Sequence, residues 1–235
     1  MANLPIASHT TGVRKPHEGA SRAEYAEDSG DIFEAFTVTD LNLILNAHSD
    51  PCLGTQGSLI LLSLPKKLTR LTVSLNAHRF GVSDISNIDI WNAIRPHEGS
   101  LEYLSVDQCK HGRDDSRFGS LQGFKRLKRL YIQPRLLSDQ DPLGHTLPPN
   151  CQSLNFYLDG RSGFREPFGQ QLLDYMSRAH LHAPNLWHIA LDEYRGNVFP
   201  KPPIYDQAKT ACAKYGIRFE VKDLTAYSQG PRQHW

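Results

Sequence analysis

The chain has 235 residues and a mass of 26.5 kDa, enough to bury a hydrophobic core of its own without covalent staples. Lys and Arg number 26 against 25 Asp and Glu, a formal charge of +1, which argues against a general nucleic-acid binder. Mean hydropathy is −0.47, and no apolar run reaches the roughly 18 residues that a membrane-spanning helix needs.

Residues 1–35 are polar and read as a flexible arm, with six acidic residues and one basic residue between positions 18 and 34. Residues 225–235 read as a flexible tail, which leaves 36–224 as the folded domain. The first twenty residues, MANLPIASHTTGVRKPHEGA, hold no continuous apolar core of signal-peptide length. The expected compartment is therefore reducing, cytoplasm or nucleus, with free thiols. Cys52, Cys109, Cys151 and Cys212 lie 57, 42 and 61 residues apart and form no CxxC pair, so neither a thiolate zinc site nor a disulfide framework is indicated.

Within the domain a pattern of the form L-x-x-L-x-L recurs. It runs as Leu68, Leu71, Val73; Leu101, Leu104, Val106; Leu127, Leu130, Ile132; Cys151, Leu154, Phe156; and Leu186, Ile189, Leu191. A weaker sixth strand follows at Ile217, Phe219, Val221. First positions are separated by 33, 26, 24 and 35 residues. Alternation in the second half of each copy is strand periodicity. Between copies lie helical spacings: Ile85, Ile88, Trp91, Ile94; Leu172, Leu173, Met176, Ala179; and Ala208, Ala211, Cys212, Tyr215. The stretch 134–150 reads as a loop that takes the place of a helix, and 36–45 as either a cap or an earlier, degraded copy. One strand and one helix repeated every 20–35 residues predict an α/β solenoid of about six irregular strand–helix repeats with a curved parallel sheet.

The motifs KKLTRLTVSL, GSLEYLSVDQC, FKRLKRLYIQPRLL, LPPNCQSLNFYLDG and APNLWHIALD resemble the irregular leucine-rich repeats in the C-terminal half of fungal F-box proteins and their shorter relatives. The resemblance covers about 57–222 and implies a leucine-rich-repeat-like fold with a substrate-receptor-like role in protein recognition, as in the ubiquitin pathway. An F-box is not recognisable here: Leu4-Pro5 is followed by polar sequence, not by amphipathic helical spacing.

Residues between the inward positions of each strand point to the opposite, concave face. These are Arg70 and Thr72; Tyr103, Ser105 and Asp107; Arg129, Tyr131 and Gln133; Asn155 and Tyr157; His188 and Asp192; Arg218 and Glu220. Tyr and Arg are the residue types that anchor interfaces, so this face is the expected binding surface for another protein. Tyr103, Tyr131 and Tyr157 step one position along per strand and are expected to form an exposed diagonal aromatic track. A second candidate surface is basic: 110–135 carries eight Lys or Arg against two Asp, and Lys125, Arg126, Lys128, Arg129 and Arg135 offer a contact for nucleic acid or an acidic partner.

Catalytic patterns are thin. Asp107, Cys109 and His111 lie within five residues, but no third group that would orient a Cys–His pair is evident. His180, His182 and His188 with Asp174 would need a third ligand in place; His180 and His182 read instead as complements to the negative end of a helix closing before Pro184. No phosphate-binding glycine motif and no GxSxG elbow occurs. The expectation is a non-enzymatic chain with no catalytic residue, cofactor or metal; an enzyme with an unrecognised site is the competing class.

Overall fold

The computed structural model describes residues 38–46, 55–63, 65, 67–76, 86–108, 116–137, 141–158, 166–193 and 203–224. The chain divides into units Met1–Phe36 and Thr37–Trp235, and every described residue belongs to the second. The expected arm at 1–35 and tail at 225–235 lie outside the described residues, as do Cys52, Cys109 and His111.

Seven strands form one sheet: β1 (Asp40–Asn46), β2 (Arg70–Asn76), β3 (Tyr103–Gln108), β4 (Arg129–Ile132), β5 (Ser153–Leu158), β6 (His188–Glu193) and β7 (Arg218–Asp223). Their spatial order is their sequence order, and every neighbouring pair is parallel. The six expected strands pair in the expected order, and 40–46, left open above, adds a seventh. Parallel neighbours need crossovers, and these carry α1 (Thr55–Ser63), α2 (Asn87–Ile94), α3 (Leu143–Thr146), α4 (Glu166–Ser177), α5 (Ala179–His182) and α6 (Ile204–Lys214).

One backbone arrangement recurs at the start of the strands. The carbonyl just before a strand accepts two N–H groups from the next: Thr39 from Thr69 and Arg70, Thr69 from Glu102 and Tyr103, Glu102 from Lys128 and Arg129, Lys128 from Gln152 and Ser153, and Gln152 from Trp187 and His188. Trp187 then accepts from Arg218 at 2.8 Å. This holds the register constant, so equivalent side chains line up across the sheet. Leu71, Leu104, Leu130, Leu154, Ile189 and Phe219 make one row. Val73, Val106, Ile132, Phe156, Leu191 and Val221 make the next. Both rows belong to one hydrophobic core with the helices, as do the first positions Leu68, Leu101, Leu127, Cys151 and Leu186.

Local sequence explains how the helices are placed. Ser86 and Asp89 form a reciprocal capping box at the start of α2: Asp89 N–H donates to Ser86 Oγ at 3.2 Å, and Ser86 N–H donates to Asp89 Oδ2 at 3.0 Å. The helix buries Asn87, Ile90, Trp91 and Ile94, while Ile88 is exposed. This corrects the expected face, because steps of three residues drift around a helix by about 60° each and a run of three such steps leaves the core. Trp91 packs on Phe118 and Phe124 at 5.6 and 5.9 Å. At the end of α6, Gly216 takes φ 70° while its N–H donates to Ala213 and that of Ile217 to Cys212, the left-handed stop that favours glycine. Ala208 and Cys212 are buried there, but Tyr215, expected on the same face, is the C-cap residue, outside the last helical turn, and is exposed.

The described parts of 134–150 hold more secondary structure than the loop expected. The stretch holds a 3-10 turn at Pro134–Leu136 and the single-turn α3, with Leu136, Leu137, Leu143 and Leu147 in the core. Prolines punctuate it and keep either piece from lengthening. Gly144 makes a close approach: a Cβ there would stand 2.7 Å from the His182 ring and would push that ring aside.

Leu104 and Leu130 are buried at the centre of the sheet. Either Leu→Ala change is expected to lower unfolding free energy by about 2–5 kcal/mol, with Thr72→Ala on the opposite face costing well under half of that. Urea unfolding of the three variants, followed by circular dichroism, checks the contrast.

Candidate binding face

The face opposite the helix-packed rows carries its own rows. At the start of the strands stand Arg70, Tyr103, Arg129, Ser153, His188 and Arg218, each in register with the next. The second row runs Thr72, Ser105, Tyr131, Asn155, Ala190, Glu220. Ser74 aligns with Asp107, and Tyr157 with Asp192 and Lys222, in the third. Tyr131 and Tyr157 stand in neighbouring rows and adjoin, with ring centroids 6.4 Å apart.

The exposure expected of the aromatic track does not follow. Tyr131, Tyr157, Ser105 and Gln133 are buried, and only Tyr103 of the three tyrosines is partly accessible. Parallel sheets are ordinarily covered on both faces, a constraint that alternation within one strand does not register. Accessible positions concentrate in the first row: Arg70, Arg129 and Arg218 are exposed, and Tyr103 and His188 partly so. Arg70 lies over the Tyr103 ring at 4.9 Å, a cation–π contact, and its Nε is 3.4 Å from Asp40.

A polar line that sequence reasoning missed crosses β5 to β7. Ser153 Oγ is 2.9 Å from His188 Nδ1, and His188 Nε2 is 3.7 Å from Glu220. Glu220 also pairs with Arg218 and lies 3.7 Å from Lys222. Burial holds His188 below the ordinary histidine range near 6.5; Glu220 opposes that shift, and Lys222 and Arg218 add to it. The signal was available: Ser153 and His188 occupy the same position of successive copies, and Glu220 lies one row along. Ser153, His188 and Glu220 thus stand in the order of a serine relay. Yet the backbone N–H of Ser153 donates to Lys128 and that of His188 to Gln152, so neither is free to hold an oxyanion.

Among the predicted basic residues, Arg126 and Lys128 both bind Glu102, at 3.0 and 2.8 Å, and those contacts hold its carboxyl below the usual carboxylate range. Arg135 donates to Gln133. The predicted basic surface is thus partly neutralised by a carboxylate 24 and 26 residues away in sequence.

His180 and His182 stand in the last turn of α5, the helix end they were expected to complement, and both also make ring contacts. His180 stacks on Tyr215 at 5.7 Å, and His182 on Tyr175 at 6.2 Å. Helix α5 is a single turn, which leaves little dipole for them to offset. No group of three potential metal ligands occurs among the described residues. Cys151 and Cys212 are free thiols, buried, and burial pushes both up to about 12. An open groove of about 720 Å³ runs along α6, lined by Asp206, Gln207, Thr210, Ala211 and Lys214, none of them on the sheet's polar face. Among the described residues no helix is long and apolar enough to cross a membrane.

No family model matches the chain, and no curated protein or solved structure is significantly similar to it.

Two outcomes follow from the burial of this face. Tyr131→Ser is expected to cost about 3 kcal/mol of stability, as truncation of a buried ring does, and a denaturant midpoint measures it. Because folding lowers the pKa of His188, the unfolded chain binds more protons between the folded pKa and about 6.5. Its contribution to stability is complete above that window and falls as pH drops through it. Glu102 acts in the same direction at lower pH, in the carboxylate range. His188→Gln should flatten the dependence of melting temperature on pH just below the ordinary histidine range and leave the acid limb in place.

Proposed function

We propose that this chain is a non-enzymatic recognition scaffold, a leucine-rich-repeat-like solenoid whose sheet curves so that its polar face is concave and binds another protein. The role is substrate-receptor-like, as in the fungal F-box relatives that the sequence resembles, in the cytoplasm or nucleus. The constant register supports the repeat reading, since each crossover returns the chain to the same position on the sheet.

The observation that carries the functional reading is the row Arg70, Tyr103, Arg129, Ser153, His188, Arg218, which spans six strands on the face away from the helices. It combines arginines with a ring already held by a guanidinium, the residue types enriched at interface centres. Buried Tyr131 and Tyr157 act as its rigid floor. Against the enzymatic alternative stands the engagement of backbone donors around Ser153, together with the sharing of Glu220 among three cationic or imidazole groups. Against contact through the basic segment stands the pairing of Arg126 and Lys128 with Glu102.

The test is affinity capture from the source cell followed by measurement of Kd for the captured protein. Tyr103→Ser with Arg129→Glu is expected to weaken binding thirtyfold or more, about 2 kcal/mol, with melting little changed. Ile88→Ser, on the helix side, is expected to bind as the parent does. Equal binding by all three proteins would overturn the reading.

A further inference from the structure

Three of the exposed large apolar residues lie in the segments that lead into β6 and β7. Leu181 of α5 is 69 % exposed, Trp187 just before β6 is 51 % exposed, and Tyr215 just after α6 is 36 % exposed. Their proximity follows from the backbone. The chain turns between α5 and β6, with Leu186 N–H donating to Ala183 at 3.0 Å, so the backbone on either side of that turn runs close. Tyr215 stacks on His180, the neighbour of Leu181. Arg218 N–H donates to the Trp187 carbonyl, which brings the start of β7, three residues after Tyr215, beside Trp187.

The two large rings are already held. Trp187 stacks on His188 with centroids 5.2 Å apart, and the Tyr215 hydroxyl donates to the Ser177 carbonyl at 3.0 Å. Rings fixed before binding lose little freedom when a partner arrives. Exposed apolar clusters of this kind mark interaction sites, and a solitary exposed Leu does not.

Charge identifies the partner. Arg178, at the N-cap of α5, and Lys214, whose amine lies 5.5 Å from the Tyr215 ring centroid, are both exposed. Neither has a carboxylate partner among the described residues, whereas the Arg218 guanidinium is taken by Glu220. Asp174, one helical turn before Arg178, accepts from Gln170. Each end of the apolar set thus carries an exposed cation, Arg178 one turn before Leu181 and Lys214 beside Tyr215, with no carboxylate partner among the described residues.

We infer that this patch docks a short acidic segment of a partner protein, one apolar anchor against Leu181 and Trp187 with Asp or Glu on either side. Single-stranded nucleic acid also offers stacking and negative charge. The most exposed member of the patch is aliphatic, however, and two cations are few for a phosphate backbone.

The test is selection of a displayed random dodecapeptide library on the full chain, then fluorescence anisotropy with a synthetic copy of a selected peptide. The selected pool is expected to be enriched in Asp and Glu around a Leu, Phe or Trp. Leu181→Ser with Trp187→Ser should weaken binding at least tenfold, as should Arg178→Glu with Lys214→Glu, with melting within a few degrees of the parent because all four side chains are exposed. Tyr103→Ser with Arg129→Glu should bind the peptide undiminished, which separates this patch from the sheet's polar face. An empty selection, a pool without acidic residues, binding unchanged in the patch variants, or tight binding of a polyuridine oligonucleotide lost in those variants would each overturn the proposal.

Discussion

Everything in this fold depends on one backbone constraint: the carbonyl preceding a strand takes N–H groups from the strand that follows it. Because the same atoms are used at each junction, crossovers of unequal length all deliver the chain to the same register. Thirty-five residues separate Ser153 from His188 and only twenty-four separate Arg129 from Ser153, yet each pair is aligned. The variable part of each copy is absorbed in the helical layer. There it appears as a twelve-residue helix in one crossover and a single turn in another.

Constant register converts a linear pattern into columns, and this is why so much was legible. Leu71, Leu104, Leu130, Leu154 and Ile189 are similar in type because each must pack against the one before it, so a motif read along the chain is a contact read across it. The strand at 40–46 was harder to read because Leu41 and Leu43 face a neighbour on one side only and are just partly buried. The exposure of the polar face was misread for a different reason. Strand alternation reports which way Tyr131 and Tyr157 point, but burial depends on what stands over them, and no spacing within a strand encodes that. Ile88 was misassigned because a step of three only approximates a helical turn, and the buried stripe followed Ile90 and Ile94 instead.

The polar network of the accessible face was half legible. Arg70, Arg129, His188, Arg218 and Glu220 were each placed on it from position alone. The pairing of Ser153 with His188, and of Glu102 with Arg126 and Lys128, spans 24 to 35 residues and exists only once the register is known. Among the described residues two carboxylates each gather more than one cation: Glu102 between β3 and β4, and Glu220 on β7. Both draw on cations that the sequence reading had assigned to binding surfaces.

The sequential strand order also makes the two ends of the ladder chemically unlike. Strand β7, RFEVKD, carries four charged residues in six, and a further chain laid along it would have to set its side chains against Arg218, Glu220, Lys222 and Asp223. Charged terminal strands of this kind resist edge-to-edge pairing. Strand β1, DLNLILN, carries Asp40 alone among apolar residues and asparagines. Its side chains put up no such electrostatic barrier, so the ladder has a polarity of growth: its sequence discourages a strand beyond β7 and tolerates one before β1.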